Sequence, residues 1–320
     1  MKNIVSMIMR KNILTSLLFF MGLLSVITNA TSAIIDTETR QIPFELNRNK
    51  IILPLRVNDS RVLKVILDTG MPSKGAMLFD PILSEEIELK NANRFEVKGA
   101  GRGEKSYVLR DESVTFTFGE IKFQNQPLMI LQNDRMSGFP TDGVVGNILF
   151  GSAAVKIDYD NKVISLLEEN DLKLEDGWDS IELRFNQSGI PFIDAALSVK
   201  GEEQVNLNIY IDSASGEALE LLVKPDMKFP LPDQLEKHYL GRGLSGDIYG
   251  QIGLIKKFSI STFTLFDVPT AFPKAEIRSR QEGADGILCN RALQRFNVIF
   301  DFAGKKLYLK PNQSFNNLFK

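Results

Sequence analysis

The stretch KVILDTGMPS, residues 64–73, decides how the rest of the chain is read. Val65, Ile66 and Leu67 form an aliphatic run of strand type, and it stops abruptly at Asp68-Thr69-Gly70. Asp and Gly are ordinary turn residues, so one copy does not separate a turn from a carboxylate held at a strand end for chemistry. A second copy does. NLNIYIDSASG (206–216) repeats the pattern of LKVILDTGMPS (63–73), with an apolar strand, then Asp212, then the hydroxyl residue Ser213. The offset is 212 − 68 = 144 residues.

Two further pairs keep almost the same spacing. TDGVVGNILF (141–150) matches ADGILCNRAL (284–293), and AVKIDYDNKVISL (154–166) matches NVIFDFAGKKLYL (297–309). Asp142 to Asp285 and Asp158 to Asp301 are both 143 residues. A fourth pair, KGAGRGEKSYVL (98–109) and YLGRGLSGDIYG (239–250), shares Gly-Arg-Gly 140 residues apart and a Tyr shortly after. A period this long marks a duplicated domain rather than a stacked solenoid. Asp142 and Asp285 read as loop-capping residues, and Asp158 and Asp301 as turn formers.

The intervening segments are short alternating or aliphatic runs broken by Asn, Asp and Gly, which predicts strands. Helical signal is confined to one turn near 81–89 and one near 290–296. A charged connector, 167–177, separates the halves. The chain of 320 residues then divides into a leader at 1–33, a first lobe at 34–172 and a second at 173–320. The leader places Lys2, Arg10 and Lys11 before an apolar stretch and then small residues near Ala30 and Ala33. That is the tripartite pattern of a secretory signal, so the protein is expected to be exported, periplasmic or extracellular.

Composition narrows the chemistry. The net charge of −2 gives no broad attraction to nucleic acid, and no membrane contact is expected beyond the signal segment. One Cys precludes an internal disulfide. One His argues against a Ser-His-Asp triad and multi-histidine metal sites. No local pattern joins His238 to Cys289 as a thiol-protease pair. Glycosylation triplets at Asn58, Asn186 and Asn312 are of a kind common by chance.

These motifs resemble the aspartic peptidases, both the retroviral type and the two-lobed pepsin type. The family pattern is apolar-apolar-Asp-Thr/Ser-Gly, a flap hairpin, then apolar-apolar-Gly. Ile66-Leu67-Asp68-Thr69-Gly70 and Val144-Val145-Gly146 fit it fully. In the second half, Ala214 stands in place of one Gly and Cys289 in place of the other. The resemblance covers about residues 40 to 310 and is closest to doubled retropepsin-like bacterial proteins.

It implies an all-β, two-lobed acid-protease-like β-barrel fold from a tandem duplication. It also implies an aspartic endopeptidase with Asp68 and Asp212 as a catalytic dyad that needs no metal or other cofactor. Thr69, Gly70, Ser213 and Ala214 would support the dyad. Gly101, Gly103 and Tyr107 would form one flap, and Gly243 and Tyr249 the other. The partner would be a peptide or protein substrate, and a monomer would suffice. The alternative is a degenerate relative that binds peptides in the same cleft without cutting them, in keeping with Ala214 and Cys289.

Overall fold

The computed structural model describes residues 40–72, 74–103, 105–151, 153–168, 172–201, 203–278 and 283–319. The signal segment predicted at 1–33 lies outside the described residues. Those residues all belong to one compact unit, Asp36–Lys320. Strands take up 52% of the described residues and helix 7%, so the all-β expectation holds.

The first lobe runs β1 (Gln41–Pro43), β2 (Glu45–Asn47), β3 (Lys50–Val57), β4 (Leu63–Leu67), β5 (Ala76–Leu78), β6 (Asn93–Val97), β7 (Ser106–Phe118), β8 (Ile121–Leu131), β9 (Gly143–Val145), β10 (Ala154–Asp158) and β11 (Val163–Leu167). The second runs β12 (Asp179–Glu182), β13 (Arg184–Phe185), β14 (Pro191–Ser198), β15 (Val205–Asp212), β16 (Leu219–Leu221), β17 (Glu236–Gly243), β18 (Gly246–Ile260), β19 (Phe263–Phe272), β20 (Gly286–Cys289), β21 (Phe296–Asp301) and β22 (Lys306–Pro311). The sole α-helices among the described residues, α1 (Leu83–Glu86) and α2 (Asn290–Leu293), fall where helical signal was found.

The duplication extends to topology. The first lobe's sheet is ordered β2-β3-β4-β9-β5-β8-β7-β6 and the second's β13-β14-β15-β20-β16-β19-β18-β17, the same order strand for strand. Pairing of β3 with β7, and of β14 with β18, closes each into a six-stranded barrel. A third sheet, β1-β11-β10-β21-β22-β12, takes three strands from each half and joins them at β10 and β21. Its centre pairs Lys156 with Ile299. Because both faces of β4 and β14 are largely covered, these strands are nearly continuous apolar runs rather than strict alternations.

One apolar core spans both lobes. Phe150 stacks on Phe302 at 4.9 Å between ring centroids, and Phe300 packs edge-on against Phe150 at 5.3 Å. The paired acids sit where their repeat positions require. Asp142 accepts from the Lys64 N–H at 2.7 Å, and Asp285 accepts from the Asn208 N–H, the matching position, at 3.1 Å. Asp158 caps the Asn161 N–H at 2.9 Å, and Asp301 caps the Gly304 N–H at 2.7 Å.

Asp285 is only 2% exposed yet meets Lys224 at 3.1 Å and Lys228 at 2.8 Å. Burial alone would raise its carboxyl. Hydrogen bonds from Lys228, the Asn208 N–H and Lys224 overcome that and hold it below the ordinary range. A depressed folded value contributes stability that is fully present above the unfolded carboxylate value. That stability is lost as pH falls through the lower folded value. Asp285→Asn is therefore expected to cost about 2 kcal/mol or more at neutral pH, since it strips the partner from a buried ion pair. Urea titrations at pH 7 and pH 3 test this: the difference from wild type should shrink at the lower pH.

Candidate active site

Strand β4 delivers Asp68 to the end of one barrel, and β15 delivers Asp212 to the end of the other. Each is braced by a parallel neighbour. β4 pairs with β9, so the Asp68 N–H donates to the Val145 carbonyl at 2.9 Å. β15 pairs with β20, and Asp212 is in register with Cys289. Both aspartates are half-buried.

The two loops are locked to each other by Thr69 and Ser213, both fully buried. The Thr69 hydroxyl donates to the Ile211 carbonyl at 2.9 Å and accepts from the Ser213 N–H at 3.1 Å. The Ser213 hydroxyl donates to the Leu67 carbonyl at 2.7 Å and accepts from the Thr69 N–H at 3.1 Å. Four reciprocal bonds thus tie the residue before and the residue after each aspartate to the opposite lobe.

Backbone N–H groups of the turns face the carboxylates. Gly70 donates to Asp68 Oδ1 at 2.9 Å. Ala214 and Ser215 donate to Asp212 Oδ1 at 2.9 and 3.2 Å. Replacing Gly by Ala at 214 leaves this donation in place. Gly70 has no such latitude: a Cβ there would lie 3.0 Å from Asp212 Cγ and 3.2 Å from its Oδ2. The carboxylate of one lobe therefore rests against the turn that holds the other. Cys289, fully buried, also keeps the bond of its counterpart. Its N–H donates to Ala218 O at 3.2 Å, as Gly146 donates to Gly75 O at 2.9 Å.

A further symmetric tie crosses between lobes. The Asn290 amide donates to Asn49 O at 2.8 Å, and the Asn147 amide reaches Gly189 O at 3.5 Å. In this way the β2–β3 turn is pinned beside the Asp212 loop, where Asn49 also donates to Gly216 O at 3.0 Å.

Asp68 and Asp212 share one cleft of about 550 Å³. Gly70 and Ala214 line it too, whereas Thr69 and Ser213 lie beneath it. The hairpins β6–β7 and β17–β18 close over it and touch at their tips. The Ser245 N–H donates to Ala100 O at 2.9 Å, the Gly99 N–H to Ser245 Oγ at 3.2 Å, and the Gly103 N–H to Ser245 O. Gly101, at φ +112°, sits so close that a Cβ would meet the Ser245 carbonyl carbon at 2.6 Å. Gly243 lines the cleft.

Tyr107 and Tyr249 do not line it. The Arg94 guanidinium lies 4.1 Å over the Tyr107 ring, and Tyr249 is 61% exposed. Residues on a strand alternate sides, and these two face away from the cleft. Tyr239, opposite Tyr249 in the ladder, shares its face and packs against its ring at 5.4 Å between centroids; it sits at the border of the cleft and the sequence does not single it out.

Sequence reading also missed Arg48, Lys50 and Glu220. Arg48 and Lys50 reach the cleft through the β2–β3 turn. Glu220 is fully buried on β16 and accepts from Ser215 Oγ at 2.9 Å, which braces the turn that donates to Asp212. Its first-lobe counterpart by strand register is Met77. Only the charge in an otherwise apolar run, LEL, marks the position, and such a charge ordinarily signals an exposed side.

Among the described residues no group of three His, Cys, Asp or Glu side chains is placed to hold a metal ion, and no helix is long and apolar enough to cross a membrane. No family model matches the sequence. No curated protein matches it either. Among solved structures, the aspartic proteinase from Irpex lacteus superposes with a TM-score of 0.55 over 87% of this chain and 98% of that one, at 11% identity. Likeness at that identity speaks for architecture, and with two closed barrels it establishes that the chain has the two-lobed fold of the pepsin-like aspartic proteinases.

Proposed function

We propose that the chain is an exported aspartic endopeptidase, with Asp68 and Asp212 as its dyad and an extended peptide as its substrate. One observation carries the reading: the reciprocal Thr69–Ser213 lock sets two acid-bearing strand ends at the floor of a single covered cleft.

The chemistry follows from charge. Two carboxylates so placed cannot both ionise cheaply, so one holds a proton while the other is an anion. The anion takes a proton from a water molecule as its oxygen attacks the scissile carbonyl carbon. The protonated partner donates to the carbonyl oxygen, giving a tetrahedral diol. Collapse breaks the C–N bond. The proton gained from water passes to the leaving nitrogen, and a diol proton returns to the second carboxylate, restoring the starting state. The flap tips exclude bulk water and offer backbone groups to an extended chain.

A non-cleaving peptide binder is the competing reading. Ala214 and Cys289 are its grounds, but both keep the backbone bonds of the Gly positions they replace, which favours the enzyme. The purified protein should cleave members of a diverse peptide pool between mildly acidic and neutral pH, with inhibition by a statine-type peptide. Retention of peptides without cleavage would select the binder.

Gly70→Ala separates placement of the dyad from its presence. The added methyl meets the Asp212 carboxyl, so kcat is expected to fall roughly 100-fold, the scale of a misplacement near 1 Å. Ala214→Gly is expected to stay within a fewfold of wild type. Steady-state kinetics on one peptide, with circular dichroism to confirm folding, compare the two.

A further inference from the structure

The cleft differs chemically on its two sides. On the Asp68 side it is apolar and rich in methionine: Met71, Met77, Phe79, Met129, Met136 and Phe139. Among the described residues the acids lining the cleft are Asp68 and Asp212 alone, whereas four cations line it: Arg48, Lys50, Arg110 and Arg242. Two of those are matched. Arg110 pairs with Glu112 at 2.6 Å, and Arg242 with Asp247 at 2.7 Å. Arg48 and Lys50 are in no ion pair among the described residues.

Their position is built rather than incidental. Arg48 (φ +47°) and Asn49 (φ +58°) both take the left-handed conformation, and the turn they form is pinned to lobe two through Asn49, Asn290 and Gly216. Lys50 Nζ packs over Gly216, where a Cβ would stand 2.9 Å from it. Lys50 is half-buried on the Asp212 side of the dyad. Burial pulls its ammonium below the ordinary lysine value, opposed by attraction to Asp212 and Glu217. Glu217 is a poor counter-ion, because burial and then Glu220 push its carboxyl up. A half-desolvated cation facing a peptide cleft without a contact anion is a site awaiting one.

We propose that Lys50 and Arg48 form an anion subsite for a carboxylate of the substrate, so that the preferred peptide sets a large apolar residue on the Asp68 side of the bond and a carboxylate on the Asp212 side. This rests on the peptide-cleft reading above. The carboxylate can come from an acidic side chain or from the peptide's own C-terminus.

Binding to full-length Asp68→Asn keeps the test independent of turnover. A fluorescent peptide with a central Leu carries one Glu, moved in turn through the three residues on either side, against the same peptides with Gln. A further pair compares free C-terminal acid with amide. One acid position should bind roughly tenfold tighter than its neutral partner, the scale of one charge-assisted hydrogen bond. Lys50→Met should bring that ratio close to one, and Arg48→Gln should reduce it. Preference confined to the free C-terminal acid supports the subsite and assigns the carboxylate to the chain end. Equal binding of every acid and neutral pair, or a preference unmoved by Lys50→Met, overturns the subsite and leaves the peptide cleft standing. No binding of any peptide by variants that unfold cooperatively overturns the peptide cleft and the subsite together. The same Glu-over-Gln preference should appear in wild-type cleavage products, which covers the case in which Asp68→Asn fails to fold.

Discussion

Asp68→Asn and Asp212→Asn are each expected to reduce peptide cleavage by at least ~1000-fold, within the range assigned to positioned acid–base groups. The two losses should not multiply. Each amide can neither take the proton of the attacking water nor share one with its neighbour, so either change alone removes the function of the pair. The asymmetric surroundings do not alter this expectation. Asp212 accepts from two backbone N–H groups, with Glu220 braced behind them, whereas Gly70 supplies the N–H donated to Asp68 Oδ1. Initial rates of the single and double variants on one substrate measure it. Activity of either single variant within tenfold of wild type would remove that residue from the chemistry.

The second large effect is on stability. Thr69→Val should lower unfolding free energy by roughly 2–4 kcal/mol, because it deletes a fully buried hydroxyl bond and orphans the Ser213 N–H. Ser213→Ala should cost a similar amount through Leu67 O and the Thr69 N–H. The two residues exchange bonds directly, so the double variant should fall short of the sum by about 1 kcal/mol or more. Urea unfolding of the four proteins gives this coupling. Additive losses would mean that the lobes hold their relation through the shared sheet and aromatic core alone.

What the sequence disclosed and what it hid follow from how local each feature is. The strand-Asp-hydroxyl units and the Asp-Gly-apolar units are contiguous, so their repetition was visible and foretold two barrels. The bonds of Asp158 and Asp301 lie within one turn and were equally readable, whereas Asp142 and Asp285 bond to Lys64 and Asn208 on a strand distant in sequence, which their reading as loop caps did not foresee. Lys50 lies 212 − 50 = 162 residues from Asp212, and only the interlobe docking of the β2–β3 turn joins them. The tyrosines show a subtler limit. Gly-Arg-Gly marked both flaps, but which face of a hairpin looks into the cleft depends on register. Alternation along β18 put Ile248 on the cleft and Tyr249 away from it. Glu220 was hidden by a rule applied too simply, since a charge within a strand is exposed only where one face of the sheet is bare, and β16 is covered on both.

The most direct measurement is a crystal structure of the protein with a statine-type peptide. Its hydroxyl, which stands in for the attacking oxygen, should lie within hydrogen-bonding distance of both the Asp68 and Asp212 carboxylates, beneath the tips that carry Gly101 and Ser245. A peptide seated elsewhere, or a hydroxyl touching one aspartate while the other points away, would contradict a shared dyad.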